Sequence, residues 1–228
     1  MLPHGTDRLG FLVTLEGPEG SGKSTQARRL AARLEALGYA CLSVREPGGT
    51  ELGEQVRQIL LHSPQLQPDP RAEALLFAAA RAQLVAQVIR PALAAGKIVI
   101  CDRFADSTLA YQGFGSGLPL DALRAQIGFA TGGLAPNLTV LIDLPAQEGL
   151  SRKSGEEMTR FEIQQDLAFH RRVREGFLAL ANTEPGRFVV LDGLLAPEAV
   201  EEAVLQALIS RLPAQTSEPQ ADLLRMDI

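Results

Sequence analysis

The sequence predicts an α/β fold in three layers, in which a parallel sheet of about five strands is covered by helices on both faces. Short apolar runs alternate along the chain with longer segments whose apolar residues recur at helical spacing. Strands that alternate with helices need crossover connections, which make the strands parallel and bury both faces of the sheet. Of the 228 residues, 46% are hydrophobic and 21% are charged, so the chain can bury such a core.

Each predicted strand is a short, mainly apolar run bounded by glycine or polar residues. The first covers residues 10–16, reads GFLVTLE and ends directly at a glycine-rich loop. The other strands are predicted at 39–44, 97–101, 138–143 and 187–192.

The predicted helices lie between these strands. The first runs over 24–37, and Gly38 ends it. The longest covers 71–95 and is rich in alanine. Its Pro91 lacks the N–H that a helix interior needs, which predicts a kink there. The remaining helices are predicted at 51–61, from about 107, and at 120–131, 161–182 and 197–212.

One domain is expected over residues 10–212, and the sequence shows no internal repeat. Residues 1–9 then form an N-terminal tail. Residues 213–228 begin as a polar segment that contains proline, which predicts a flexible C-terminal tail.

Charge and composition argue against several classes of function. The net charge of −5 disfavours a general nucleic-acid-binding surface, which needs a basic excess. The N-terminus lacks a secretory signal, and the longest uncharged segment, 125–142, contains glycines and a proline that make it a poor membrane span. Cys41 and Cys101 show no metal-ligand spacing, so we expect buried thiols in a reducing compartment. These features predict a cytoplasmic protein with no nucleic-acid or membrane partner.

The glycine-rich loop after the first strand reads GPEGSGKST and matches the pattern GxxxxGK[ST]. Its glycines allow successive backbone N–H groups to wrap around phosphate oxygens, and the helix that follows adds its positive end. Lys23 brings a charge to the transferred phosphate, and the Ser24 hydroxyl suits magnesium. The loop predicts binding of a nucleoside triphosphate through Gly17, Pro18, Glu19, Gly20, Ser21, Gly22, Lys23, Ser24 and Thr25.

The rest of the chain indicates which class of nucleotide-binding protein this is. It has no NKxD-type segment that reads guanine, and it is short for a motor or helicase. Its length suits a small-molecule kinase, which needs arginines to hold an anionic acceptor. Arg45, Arg81 and Arg103 occupy suggestive places, two after strands and one on the long helix.

Four segments together resemble the thymidylate kinase family. They are the loop GPEGSGKST, REPGGT at 45–50, LLFAAAR at 75–81 and DRFADSTLAYQG at 102–113, and their order and spacing also match. The resemblance extends over roughly residues 10–212. It implies a P-loop NTPase fold and transfer of the γ-phosphate of ATP to dTMP, which gives dTDP for dTTP synthesis. It also implies Mg²⁺ as cofactor and a homodimer.

The resemblance assigns roles around the acceptor, each with a physical reason. Asp102 ends a strand, where its carboxylate holds magnesium through water, and Glu16 is a further candidate ligand near the metal and the acceptor sugar. The guanidinium groups of Arg45 and Arg103 suit phosphate oxygens, and Arg103 is also expected to act in catalysis. Pro47 follows Arg45 closely, and a cis peptide bond before it would aim that arginine.

The base and sugar of the acceptor have their own expected contacts. Phe77 stacks on thymine and Arg81 binds its edge, since i, i+4 spacing puts both on one helix face. Tyr111 packs against deoxyribose and leaves little room for a 2′-hydroxyl. The full set expected to bind dTMP is Glu16, Arg45, Pro47, Phe77, Arg81, Arg103, Ser107, Thr108, Tyr111 and Gln112.

The catalytic cation is expected from a short lid over residues 149–161. The phosphate loop has no basic residue between Gly17 and Gly22, so the chain resembles the bacterial group of the family that carries lid arginines. Arg152, Lys153 and Arg160 are the candidates, and such a cation stabilises charge on the transferred phosphoryl group. Two alternatives stay open: another nucleoside or nucleotide kinase, and a P-loop protein that binds nucleotide without turnover.

Overall fold

The computed structural model describes residues 10–63, 65–153 and 158–212. The predicted tails, 1–9 and 213–228, lie outside the described residues, as do residues 154–157 of the predicted lid.

A single five-stranded parallel sheet forms the centre of the described chain, as the sequence predicts. Its strands are β1 (Phe11–Glu16), β2 (Cys41–Arg45), β3 (Ile98–Asp102), β4 (Leu138–Asp143) and β5 (Phe188–Asp192). The spatial order is β2-β3-β1-β4-β5. β1 and β4 are buried along most of their length, which fits strands covered on both faces. The carboxyl ends of β1, β2 and β3 therefore meet at one edge of the sheet.

Helices cover both faces of this sheet. They are α1 (Lys23–Ala36), α2 (Glu51–Leu61), α3 (Pro70–Leu84), α4 (Arg90–Ala94), α5 (Ala105–Thr108), α6 (Leu120–Thr131), α7 (Ala146–Ser151), α8 (Arg160–Gln164), α9 (Leu167–Thr183) and α10 (Pro197–Ile209). On one face α1 and α10 bury Leu30, Leu34 and Val204 against the sheet. On the other face α9 and the long helix that begins with α3 supply the core, with Phe177 and Leu84 fully buried.

The long helix departs from α-geometry just before its proline. Between α3 and α4 the chain forms a π-helical turn, Val85–Ile89, and Pro91 follows in the first turn of α4. Because proline removes an N–H and crowds the preceding turn, a π-turn at this point absorbs the mismatch. The departure from α-helical geometry, predicted as a kink at Pro91, thus lies about one turn before this proline, as a π-helical turn. A second π-helical stretch, Leu109–Gly115, continues α5.

The predicted helix over 161–182 is wrong in one respect, because the structure divides it in two. α8 ends at Gln164, and Gln165 is extended, with φ −100° and ψ 142°. The Asp166 carboxylate then accepts a hydrogen bond from the backbone N–H of Phe169 at 2.7 Å, which caps a new helix, α9. This break places Arg160 and Phe161 on a separate short helix.

Within the described residues, one continuous helical segment, Pro70–Ala94, has the length and hydropathy of a membrane span. Leu84 and Ile89 of this segment are fully buried, and Arg81 forms a buried ion pair. A core helix of a globular protein has these same properties, so the segment is weak evidence for a membrane.

Candidate active site

A cavity of about 1030 Å³ opens where the carboxyl ends of β1, β2 and β3 meet. Ligands of open α/β sheets bind at this edge. The structure brings most of the predicted residues together on its walls: Glu19, Gly20, Gly22, Lys23, Ser24, Thr25, Arg45, Pro47, Phe77, Arg81, Asp102, Arg103, Ser107, Thr108, Tyr111, Gln112, Arg152 and Lys153.

The phosphate loop curls between β1 and α1. Gly17, Gly20 and Gly22 all have positive φ, at 147°, 68° and 89°, which side chains with a Cβ rarely adopt. Lys23 donates to the Pro18 carbonyl oxygen at 2.7 Å and to Ser21 Oγ at 3.1 Å. Burial, with nearby Arg103, lowers the pKa of Lys23 to about 7. Since the buried ammonium has only neutral hydrogen-bond partners, a phosphate beside it would restore a favourable charge pairing.

Ser24 and Asp102 form the pair of oxygen donors that suits a magnesium ion. Ser24 Oγ donates to Asp102 Oδ2 at 2.5 Å, across the gap between the phosphate loop and the end of β3. No cluster of three or more His, Cys, Asp or Glu side chains with metal-binding geometry occurs among the described residues. Magnesium keeps several waters and is held by few protein ligands together with substrate phosphates, so this donor set fits Mg²⁺.

Arg103 is held in an unusual conformation at the centre of the cavity. Its φ is 67°, the left-handed region that a side chain with a Cβ enters at a cost of order 1–3 kcal/mol. One Nη atom donates to the Gly17 carbonyl oxygen at 3.0 Å and to Ser107 Oγ at 3.1 Å. The other donates to Glu19 Oε1 at 3.1 Å and to the Tyr111 hydroxyl at 3.0 Å. These bonds aim the guanidinium between the phosphate loop and α5.

The pKa values of two glutamates near Arg103 are shifted in opposite directions. For Glu19, burial opposes ionisation, but Arg103, Lys23 and the Tyr111 hydroxyl together lower its pKa to about 2. For Glu16, burial and the like charge of Asp106 raise the pKa to about 7. Glu16 is fully buried at the end of β1 and accepts from the Phe104 N–H at 2.7 Å and the Ser107 hydroxyl at 2.6 Å. In the structure it fixes the start of α5 behind the cavity.

Arg81 and Phe77 line the cavity from α3, as their i, i+4 spacing predicts. Arg81 Nε donates to Glu46 Oε2 at 2.8 Å, and Nη2 donates to the Phe104 carbonyl oxygen and Thr108 Oγ1. Its Nη1 is buried without a hydrogen-bond partner among the described residues. A buried donor without a partner is costly, so Nη1 is a ready contact for a ligand oxygen.

Two arginines line the cavity near the carboxyl end of β2, Arg45 as its last residue and Arg57 on α2. Arg45 pairs with Glu54 at 3.0 Å and is about half exposed, and the Glu46–Pro47 peptide bond after it is cis. Arg57 on α2 donates to the Pro47 carbonyl oxygen at 3.0 Å and also lines the cavity. Arg57 is not among the cavity residues expected from the sequence. The pattern that could have indicated it is its i, i+3 spacing from Glu54 on the helix that directly follows REPGGT.

The first part of the predicted lid lies against the phosphate loop. Arg152 Nη1 lies 3.5 Å from the Gly20 carbonyl oxygen and 3.2 Å from that of Gly193. Lys153 Nζ lies 3.5 Å from Glu162 Oε1. Both cations line the cavity that contains Lys23 and Ser24.

The structure places Arg160 differently from the expected lid cation. Its Nη2 donates to Glu73 Oε1 at 2.5 Å and its Nε donates to the Leu60 carbonyl oxygen at 2.9 Å. It is buried and does not line the cavity. The division of the predicted helix at Gln165 puts Arg160 at the start of α8, which packs on α2, and there it pairs with Glu73.

Comparison with known proteins gives one consistent result. The family model "Thymidylate kinase" matches residues 15–204. A thymidylate kinase of Deinococcus radiodurans is 53% identical over 201 residues, which cover 88% of this chain and 97% of that protein. One from Synechococcus sp. (strain JA-3-3Ab) is 51% identical over 210 residues, covering 92% and 100%. The crystal structure of thymidylate kinase from Ehrlichia chaffeensis has a TM-score of 0.71 and 33% identity, covering 88% of this chain and 98% of that one.

Proposed function

The chain belongs to the thymidylate kinase family, and we propose that its cavity transfers the γ-phosphoryl group of ATP to dTMP, giving dTDP and ADP. The observation that carries this proposal is that one cavity is lined both by the phosphate loop and, from other elements, by Phe77, Arg81 and Gln112, with Arg103 also on its wall. A protein that only bound a nucleoside triphosphate would not need this second group of side chains.

The donor site uses the loop and its flanking groups. Backbone N–H groups of the loop and the ammonium of Lys23 face the β- and γ-phosphates of ATP. Ser24, and Asp102 through water, would hold Mg²⁺, which when bound neutralises charge on the transferred phosphoryl group. Glu16 remains a candidate for a more distant contact with the metal site.

The acceptor site places dTMP with its phosphate toward the loop. The arginines Arg45, Arg57 and Arg103 provide guanidinium forks for that phosphate. Phe77 supplies an aromatic surface for the base, Arg81 a hydrogen-bond donor for its edge, and Tyr111 a wall beside the sugar. Ser107, Thr108, Gln112 and Pro47 complete the pocket around these groups.

The chain needs no covalent nucleophile for this reaction. Both substrates are held by groups whose own side chains are fixed, so the acceptor oxygen is positioned in line with the γ-phosphorus. We assign the cation that stabilises the transferred group to Arg152 and Lys153, because both line the donor end of the cavity. Arg160, at the start of α8, pairs with Glu73 instead.

We also propose a homodimer formed through the outer faces of α3 and α6, which pack on each other. Leu75 on α3 is 63% exposed and Phe129 on α6 is 92% exposed. Large exposed apolar side chains on neighbouring helices suit contact with a second copy of the chain. A cytoplasmic location without membrane or nucleic-acid partners remains our prediction from the sequence.

The test is a coupled assay of ADP release with dTMP, dUMP, dCMP, thymidine and AMP offered in turn. We expect the highest kcat/KM with dTMP. A preference for another acceptor would identify a related kinase, and ADP release that does not depend on any acceptor would refute the proposal. Arg152→Met and Lys153→Met, made separately, show which of the two cations contacts the transferred group. The variant that loses this contact should have a kcat at least about tenfold lower.

A further inference from the structure

Glu73 connects the acceptor pocket to the end of the lid. It lies in the first turn of α3, one helical turn before Phe77, and it is buried. Its Oε1 accepts from Arg160 Nη2 at 2.5 Å, and its Oε2 accepts from Gln112 Nε2 at 3.4 Å. Glu73 does not line the cavity, whereas Gln112 does.

The chemistry of a carboxylate decides how the Gln112 amide is turned. An ionised carboxylate offers acceptors only, so the group of Gln112 that faces Glu73 is its NH₂. The amide carbonyl oxygen, Oε1, is then directed away from Glu73. Arg160, a permanent cation, pairs with the other carboxylate oxygen of Glu73 and holds that carboxylate in place.

We propose that Glu73 is a positioning residue that makes Gln112 present an acceptor to the base, beside the donor that Arg81 presents. This inference rests on the proposed function. A 4-keto pyrimidine such as thymine carries an acceptor, O4, next to a donor, N3–H, and matches this pair. A 4-amino pyrimidine carries the opposite pattern and would face two unmatched buried groups, and sites built to hydrogen-bond a polar group discriminate strongly on this basis.

The matched substrates for the test are dTMP and 5-methyl-dCMP, which differ only at position 4 and in the protonation of N3. The measurement is the ratio of their kcat/KM values in the wild type and in Glu73→Gln. The glutamine can donate as well as accept, so the Gln112 amide is free to rotate. We expect the ratio to fall about tenfold or more. A ratio of two kcat/KM values does not depend on the fraction of folded enzyme.

Gln164→Ala is the matched control, because Gln164 accepts a hydrogen bond from Arg160 Nη1 at 3.3 Å, whereas Glu73 accepts from Nη2 of the same guanidinium. Its ratio should equal that of the wild type. In a Gln112→Met background, Glu73→Gln should no longer change the ratio. An unchanged ratio in Glu73→Gln alone, or an equal fall in Gln164→Ala, would overturn the inference.

If Glu73→Gln does not fold, Arg160→Met provides a second test, because it removes the ion-pair partner that holds the Glu73 carboxylate in place beside Gln112. The ratio should fall in this variant, and an unchanged ratio would again overturn the inference. Failure of the proposed function has a different signature, since the wild type would then show no ADP release that depends on dTMP.

Discussion

Gly20 of the phosphate loop and Gly149 of α7 lie in backbone contact. A Cβ added to Gly20 would lie 2.1 Å from the Gly149 carbonyl oxygen, and one added to Gly149 would lie 2.1 Å from the Glu19 carbonyl oxygen. Real Cβ atoms do not approach so closely, so neither position accepts a side chain without a backbone shift. The start of the segment predicted as the lid therefore rests directly on the phosphate loop.

Replacing Gly149 by Ala should lower kcat/KM by at least about tenfold, because the added methyl group pushes α7 off the phosphate loop and misplaces Arg152. Alanine is the better helix former by about 1 kcal/mol, so a loss of activity would come from the contact and not from helix propensity. Steady-state kinetics measure the effect. Gly128→Ala on α6 is the control, since a Cβ there meets nothing within 4 Å. Equal kinetics in the two variants would contradict the explanation.

Replacing Lys23 by Met should lower the activity by about 100-fold or more. The same change should raise the free energy of unfolding of the protein without nucleotide. Burial lowers the pKa of Lys23 from 10.5 to about 7. Between these values the unfolded chain binds more protons than the folded one, so wild-type stability rises with pH across this window. The gain from Lys23→Met, of at most a few kcal/mol, should be largest below pH 7 and shrink toward pH 10.

Thermal and urea unfolding at pH 6 and pH 9, without nucleotide, measure this difference between Lys23→Met and the wild type. A variant less stable than the wild type at pH 6 would show that the neighbouring carboxylates of Glu19 and Asp102 stabilise the ammonium more than burial destabilises it.

Replacing Arg57 by Met should lower kcat/KM for dTMP by about 10- to 100-fold, since a hydrogen bond to a charged group contributes about 1.5–3 kcal/mol. The KM for ATP should not change, because Arg57 lies at the acceptor side, beside Pro47. Initial rates with each substrate varied in turn give both constants. Arg71→Met should leave both unchanged, because Arg71 is 78% exposed and pairs with Asp69.

Replacing Tyr111 by Ala should reduce the preference for dTMP over its ribonucleotide, 5-methyl-UMP, by about tenfold. The hydroxyl of Tyr111 donates to Glu19 at 2.7 Å, and its ring packs edge-on against Phe161 and Phe177, so the ring cannot move aside for a 2′-hydroxyl. Tyr111→Phe keeps the ring and should keep the preference while lowering kcat. The ratio of kcat/KM values for the two nucleotides is the measurement, and an unchanged ratio in Tyr111→Ala would exclude this role.

Replacing Phe129 or Leu75 by Asp should convert the proposed homodimer to a monomer, because a charge in a buried apolar interface is left without a partner. Sedimentation velocity of the wild type and of each variant gives the mass directly. Leu195→Asp, at an exposed apolar residue between β5 and α10, should leave the mass unchanged. A monomeric wild type would refute the proposed dimer.

The sequence by itself determined the sheet, the phosphate loop and most of the residues that line the cavity. These features depend on local patterns: apolar runs such as FLVTLE, glycines where φ is positive, and i, i+4 pairs such as Phe77 and Arg81. They could be read without the tertiary structure because spacing along a strand or helix fixes which residues share a face.

Only the tertiary structure decided which charged residues meet. Arg57 lines the cavity because α2 brings it to the Pro47 carbonyl oxygen. Arg160 lies outside the cavity because Asp166 caps a new helix and Glu73 pairs with Arg160. The contact of Gly20 with Gly149 and the pairing of Glu73 with Gln112 join residues far apart in the chain. Partners of this kind depend on how helices pack, and a local pattern carries no information about that packing.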